Sequence, residues 1–120
     1  MYTIISATIK LDLNEFNFDF DSGYIDGSDQ WLTPNEESYI GACTTIHEAS
    51  DMLDRTVYVH LDSKNLILEY TYISGDDGCI KLRKFADFEG KMYEIDNDLY
   101  CPELAQILKD RIYEIKKEQE

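Results

Sequence analysis

The chain has 120 residues, 43% of them hydrophobic and 12% aromatic, and a formal net charge of −14. That length fits one acidic domain spanning 1–120, and the aromatic content supplies a core that a disordered acidic tail lacks. The charge weighs against direct binding to DNA, RNA or an anionic membrane, since those partners need Lys and Arg to displace counterions; it suits a basic protein partner or plain solubility.

Ile5, Ala7, Ile9, Leu11 and Leu13 alternate with Ser6, Thr8, Lys10 and Asp12, the period of a half-buried strand. Phe16, Phe18 and Phe20 continue the period, with Glu15, Asn17, Asp19 and Asp21 on the other face, which predicts a second strand and an N-terminal hairpin turning at Asp12 to Asn14. From Ser22 to Ala42, Gly23, Gly27, Pro34 and Gly41 predict loops with at most one short strand. Thr45-Ile46-His47-Glu48 has the form of a capping box and opens a short helix to about Asp54.

Val57, Val59 and Leu61 alternate within a strand over Thr56–Leu61. Further strands are expected over Asn65–Ile73, Cys79–Phe85 and Lys91–Ile95. Short connections make these four an antiparallel meander. Lys81 and Arg83 share a face of the third of them and read as ion-pair partners of Glu69 on its neighbour. Pro102 and Glu103 then start an amphipathic helix whose stripe is Leu104, Ile107, Leu108, Ile112 and Ile115, with Lys116 and Lys117 near its end. The expected fold is α+β: an N-terminal β-hairpin, a short helix, an antiparallel four-stranded meander and a C-terminal amphipathic helix packed on the sheet. Size and order of elements are consistent with small bacterial immunity proteins and phage counter-defence proteins as a class, an analogy of fold alone.

The opening residues lack the basic and apolar regions of a secretory signal, and no apolar run approaches the roughly 18 residues of a membrane span. With Cys43, Cys79 and Cys101 forming no compact framework, this predicts free thiols and a cytoplasmic location.

The distribution of charge is the most unusual feature. Between Lys10 and Arg55 lie eleven carboxylates and no Lys or Arg, whereas Arg55 to Glu120 holds fourteen acids and ten bases. Such a segment suits the basic nucleic-acid site of a nuclease or toxin, through focused attraction and steered association. The expected function is therefore a non-enzymatic acidic inhibitor of the immunity or nucleic-acid-mimic kind. Glu15, Asp19, Asp21, Asp26, Asp29, Glu36 and Glu37 are its candidate charges, and Tyr24, Trp31 and Tyr39 its candidate anchors. The alternative is an accessory subunit assembling through the C-terminal helix or a sheet edge, with acidity serving solubility only.

No catalytic residue, cofactor or metal site is expected. Counted from Asp19, an EF-hand would need an oxygen ligand at Gly23, glycine at Tyr24 and glutamate at Gln30, so that pattern fails. A calcium site of another kind around Asp19 to Asp29 stays open. Cys43 and His47 have no paired ligands to nucleate a zinc site, and His47 and His60 have no nucleophile placed by a motif. Oligomeric state is left open.

Overall fold

The computed structural model describes residues 1–28, 32–75, 82–96 and 99–120. In chain order these form β1 (Tyr2–Asp12), a 3₁₀ turn (Phe20–Ser22), β2 (Glu36–Cys43), α1 (Ile46–Met52), β3 (Thr56–Leu61), β4 (Asn65–Ser74), β5 (Lys84–Phe88), β6 (Lys91–Ile95) and α2 (Pro102–Glu118). The class is α+β, as expected. The strands make one six-stranded mixed sheet in the order β2-β1-β4-β3-β5-β6.

β1 lies between β2 and β4 and is antiparallel to both, pairing with β4 from Thr3↔Ser74 to Asp12↔Asn65. β4 turns back on β3 through the short connection at Ser63 and Lys64. The expected meander fails at the next step. β4 already has neighbours on both sides, so the free edge belongs to β3. The chain leaves β4 at the end of the sheet where β3 begins, and β5 therefore runs parallel to β3, pairing from Thr56↔Phe85 to Val59↔Phe88. β6 closes the row antiparallel to β5. The strand expected over Cys79–Phe85 is Lys84–Phe88; Cys79 and Lys81 lie outside the described residues.

The N-terminal hairpin is also corrected. Period two does not carry Glu15–Asp21 into a strand. After β1 the amides of Glu15 and Phe16 donate to the Asp12 carbonyl at 3.3 and 2.9 Å, turning the chain off the sheet. The Phe rings gather instead of alternating: Phe16 meets Phe18 edge-on at 4.7 Å, and Phe18 stacks on Phe20 at 5.2 Å. Gly23 secures this segment. Its φ is +91°, its carbonyl accepts from the Cys101 amide at 2.9 Å, and a Cβ there would lie 2.5 Å from the Tyr100 ring. The actual hairpin partner of β1 is β2, an exposed edge strand with a bulge at Ile40 between the Gly41↔Ile4 and Tyr39↔Ile5 pairs.

One face of the sheet carries the main core. Ala7, Ile9 and Leu11 of β1, Leu66 and Leu68 of β4, Val57 and Val59 of β3 and Ala86 and Phe88 of β5 pack with Leu104, Leu108 and Ile112 of α2. α2 begins as its sequence predicts, with Pro102 in the first turn beside Glu103, and it ends with Lys116 and Lys117 in the last turn, charges that complement the helix dipole. On the opposite face, at one end only, Ala49 and Leu53 in and after α1 pack with Ile4 and Cys43. Ile4 is on that side because it is out of phase with Ala7, Ile9 and Leu11. The capping expectation holds for its backbone half: Thr45 Oγ1 accepts from the Glu48 amide at 3.2 Å, and the helix runs to Met52. Among the described residues, no helix is long and apolar enough to cross a membrane.

Leu108 is fully buried between α2 and the sheet. Leu108→Ala is expected to cost about 3 kcal/mol in a urea titration, from lost transfer energy plus a residual cavity. Tyr39→Ala, at 68% exposure on β2, is expected to move stability by less than about 0.5 kcal/mol. Equal losses at the two sites would contradict this division of core from edge.

Candidate functional site

The residues that sequence reasoning assigned to binding do not form one surface. Glu15 is exposed in the turn after β1. Asp19 precedes the 3₁₀ turn, and Asp21 reaches α2, where its carboxylate accepts from Lys109 Nζ at 2.7 Å. They are therefore not a same-face row on a strand, and Asp21 already has a cation. Tyr24 forms an isolated bridge with Tyr100, their rings edge-on at 5.3 Å. Asp26 is buried, only 3% exposed. Asp29 and Trp31 lie outside the described residues. Glu36, Glu37 and Tyr39 stand together on β2, exposed at the sheet edge.

Glu36 and Glu37 point to opposite faces. Glu37 is on the helix side, where it accepts from the Tyr72 hydroxyl at 2.7 Å, and this bond raises the pKa of the phenol. Glu36 pairs with Thr8 and points to the other face, which α1 covers at one end and α2 does not touch. There it lines a groove of about 580 Å³ with Lys10, Asp12, Asn35, Asn65, Ile67 and Glu69.

Register extends this across the whole sheet. Glu36 is opposite Thr8, Thr8 opposite Glu69, Glu69 opposite Tyr58, Tyr58 opposite Asp87 and Asp87 opposite Met92. The six residues make one lateral row, with a carboxylate on every second strand. Two strand spacings separate successive carboxylates by about 10 Å. Tyr58, at 38% exposure, and Met92, at 49%, give the row apolar surface. The Tyr58 hydroxyl donates to Asp54 at 3.0 Å, and that bond, with the charge of Asp54, raises the pKa of the phenol.

Cations are distributed differently. Among the described residues, Lys109, Arg111 and Lys91 form ion pairs with Asp21, Glu89 and Glu103, all at α2 or beside it. On the uncovered face Arg83 is held by Glu94 at 3.1 Å and lies over the Phe85 ring at 5.2 Å; it does not pair with Glu69 as expected. Glu36, Glu69 and Asp87 take part in none of these pairs. Sequence reasoning read Glu69 only as an ion-pair partner and did not single out Asp87. The available signal was local: Glu69 falls between Leu68 and Tyr70, and Asp87 between Ala86 and Phe88, the outward positions of alternating strands.

For catalysis or metal binding the geometry offers little. His47 and His60 are exposed, Cys43 and Cys101 are buried free thiols, and Cys43 Sγ contacts Met52 Sδ at 3.3 Å. Among the described residues no three His, Cys, Asp or Glu side chains cluster to hold a metal ion. Of the acids considered for calcium, Asp21 is bound to Lys109 and Asp26 turns inward to the Ser28 amide at 3.2 Å. A second cavity, of about 270 Å³, lies between the Phe16–Asp21 segment and the end of α2. The chain matches no family model, and no curated protein or solved structure shows significant similarity to it.

Among the described residues, Asp26 is the carboxylate whose pKa departs furthest from its ordinary value. Desolvation raises its pKa from 3.8 to about 6, against the lowering effect of hydrogen bonds from the Ser28 and Asp26 amides. The folded state therefore holds the proton more tightly than the unfolded chain. This stabilisation is complete below about pH 4 and is lost as pH rises through about 6. Asp26→Asn keeps an acceptor for Ser28 and removes the charge. The variant is expected to gain on the wild type by about 2 kcal/mol between pH 4 and 7, read from denaturation midpoints. A constant difference across that window would contradict the assignment.

Proposed function

We propose that this chain is a non-enzymatic acidic binding protein that inhibits a nuclease or toxin by occupying its basic nucleic-acid site, as immunity and counter-defence proteins do. The observation that carries this reading is the set of exposed carboxylates, Glu36 and Glu69 foremost, that stand on a hydrogen-bonded sheet and, among the described residues, form no ion pair. Fixed charges of one sign attract a complementary surface from beyond contact, accelerate encounter and respond steeply to salt, because screening acts over about 8 Å at physiological ionic strength.

The accessory-subunit reading keeps one supporting observation, the outer edge of β2, where Tyr39 and Ile40 are 68% and 52% exposed. Its helical version loses ground, since Leu104, Leu108 and Ile112 are consumed by the chain's own core. A charge at Ile112 would unfold the domain rather than dissociate an assembly.

Affinity capture at low and high salt, followed by assay of the captured proteins, tests the proposal. The expected result is salt-sensitive enrichment of basic proteins, among them a nuclease or nucleic-acid-directed toxin whose activity the chain suppresses stoichiometrically. Capture that ignores salt and partner charge, or a bound nuclease whose activity is unchanged, would overturn it.

A further inference from the structure

An unpartnered sheet face needs an account of what covers it. This one runs across all six strands in the row Glu36, Thr8, Glu69, Tyr58, Asp87, Met92. α2 lies on the other side, and α1 reaches only the end marked by Ile4 and Cys43. Leu82 packs at that same end, and among the described residues the rest of the face runs from half-buried (Thr8, Asp87) to exposed (Glu36, Glu69), with a groove at its β1–β4 side.

From these features we infer that the uncovered sheet face, rather than the acidic segment between β1 and β2, is the docking surface, and that its occupant is a basic protein surface. The inference rests on the binding function proposed above and gives it a place.

Charge decides among occupants. A second copy would set carboxylates against carboxylates in a chain of net charge −14. Nucleic acids and anionic membranes have the same sign as the face. One metal ion cannot bridge the row, because cation–oxygen bonds of about 2.4 Å do not span carboxylates about 10 Å apart. A surface bearing Lys and Arg meets none of these objections. It would neutralise Glu36, Glu69 and Asp87 while Tyr58 and Met92, between and beside them, exclude water from the contacts.

Rigidity favours this face over the segment that sequence reasoning selected. Glu69 and Asp87 stand on strands paired on both sides. In the rival segment Asp21 is neutralised by Lys109 and Asp26 is buried. Displacing Lys109 would cost a partner part of its binding energy, whereas among the described residues Glu36, Glu69 and Asp87 form no ion pair to break, with Lys10 the cation that lines the same groove.

Protamine serves as the cationic probe in titration calorimetry at physiological salt, with the full chain and two triple variants. Glu36→Gln/Glu69→Gln/Asp87→Asn removes the row; Glu15→Gln/Asp19→Asn/Asp21→Asn removes equal charge from the rival segment. The row variant is expected to weaken binding about tenfold and the rival variant less than about threefold, from the size of exposed charge pairs. Amide shift mapping of the wild type needs no variant and is expected to place the largest perturbations at Thr8, Tyr58, Glu69 and Asp87. Equal losses from the two variants, a larger loss from the rival, or shifts centred on residues 15–21 would overturn the choice of face. Failure of the wild type to bind protamine would overturn the binding function itself.

Discussion

α2 lays Leu104, Leu108 and Ile112 across one face of a six-stranded sheet, and among the described residues nothing of comparable length covers the other. Burial of that single stripe makes the two faces unequal. Residues in phase with Ala7 and Ile9 are mostly apolar, because they fill the layer beneath the helix, with Lys84 of β5 a buried exception and Glu37 an exposed one at the sheet edge. Those in phase with Thr8 and Lys10 are released from that demand, except where α1 sits over Ile4. A strand with one dry and one wet face can carry charge only on the wet one without a large desolvation cost. The site of the acidity is therefore a consequence of helix packing as much as of composition.

Asp26 shows the cost of departing from that rule. Its carboxylate is buried next to the aromatic-rich segment, and burial outweighs two backbone hydrogen bonds in setting its pKa. The surface acids avoid this expense. Spaced about 10 Å apart, close to the screening length of physiological salt, the row holds its repulsion to a level the core tolerates.

Where periodicity was strong the sequence was read well. Val57 and Val59 and the α2 stripe bury the faces that their spacing predicts, and Thr45 caps α1. Phe16, Phe18 and Phe20 show the limit of that signal. Rings two residues apart look like one face of a strand, yet Gly23 at positive φ and the turn at Asp12 bring them together without one. β2 carried little signal because an exposed edge strand has no buried face to enforce alternation. Strand order was beyond local reading. The parallel β3–β5 pairing depends on β1 having already occupied the far side of β4, a relation between segments distant in sequence. The acidic row is hidden for the same reason, since Glu36, Glu69 and Asp87 become neighbours only through four registers.

The place of β1 in the sheet also shapes how the domain folds. Its most extensive partner is β4, which pairs Thr3 with Ser74 and follows only after β2, α1 and β3. Such non-local pairing belongs to slow-folding topologies, because a long loop must close before the contacts repay it. Until then Ile4, Ile5, Ile9 and Leu11 form an unfinished, β-prone apolar strand of the kind that aggregates. Its one early partner, β2, begins with Glu36 and Glu37. Carboxylates beside an exposed hydrophobic strand act as gatekeepers, keeping incomplete chains apart by repulsion. The acidity of this region thus has a use before the native face exists, while the half-built sheet is still exposed to copies of itself.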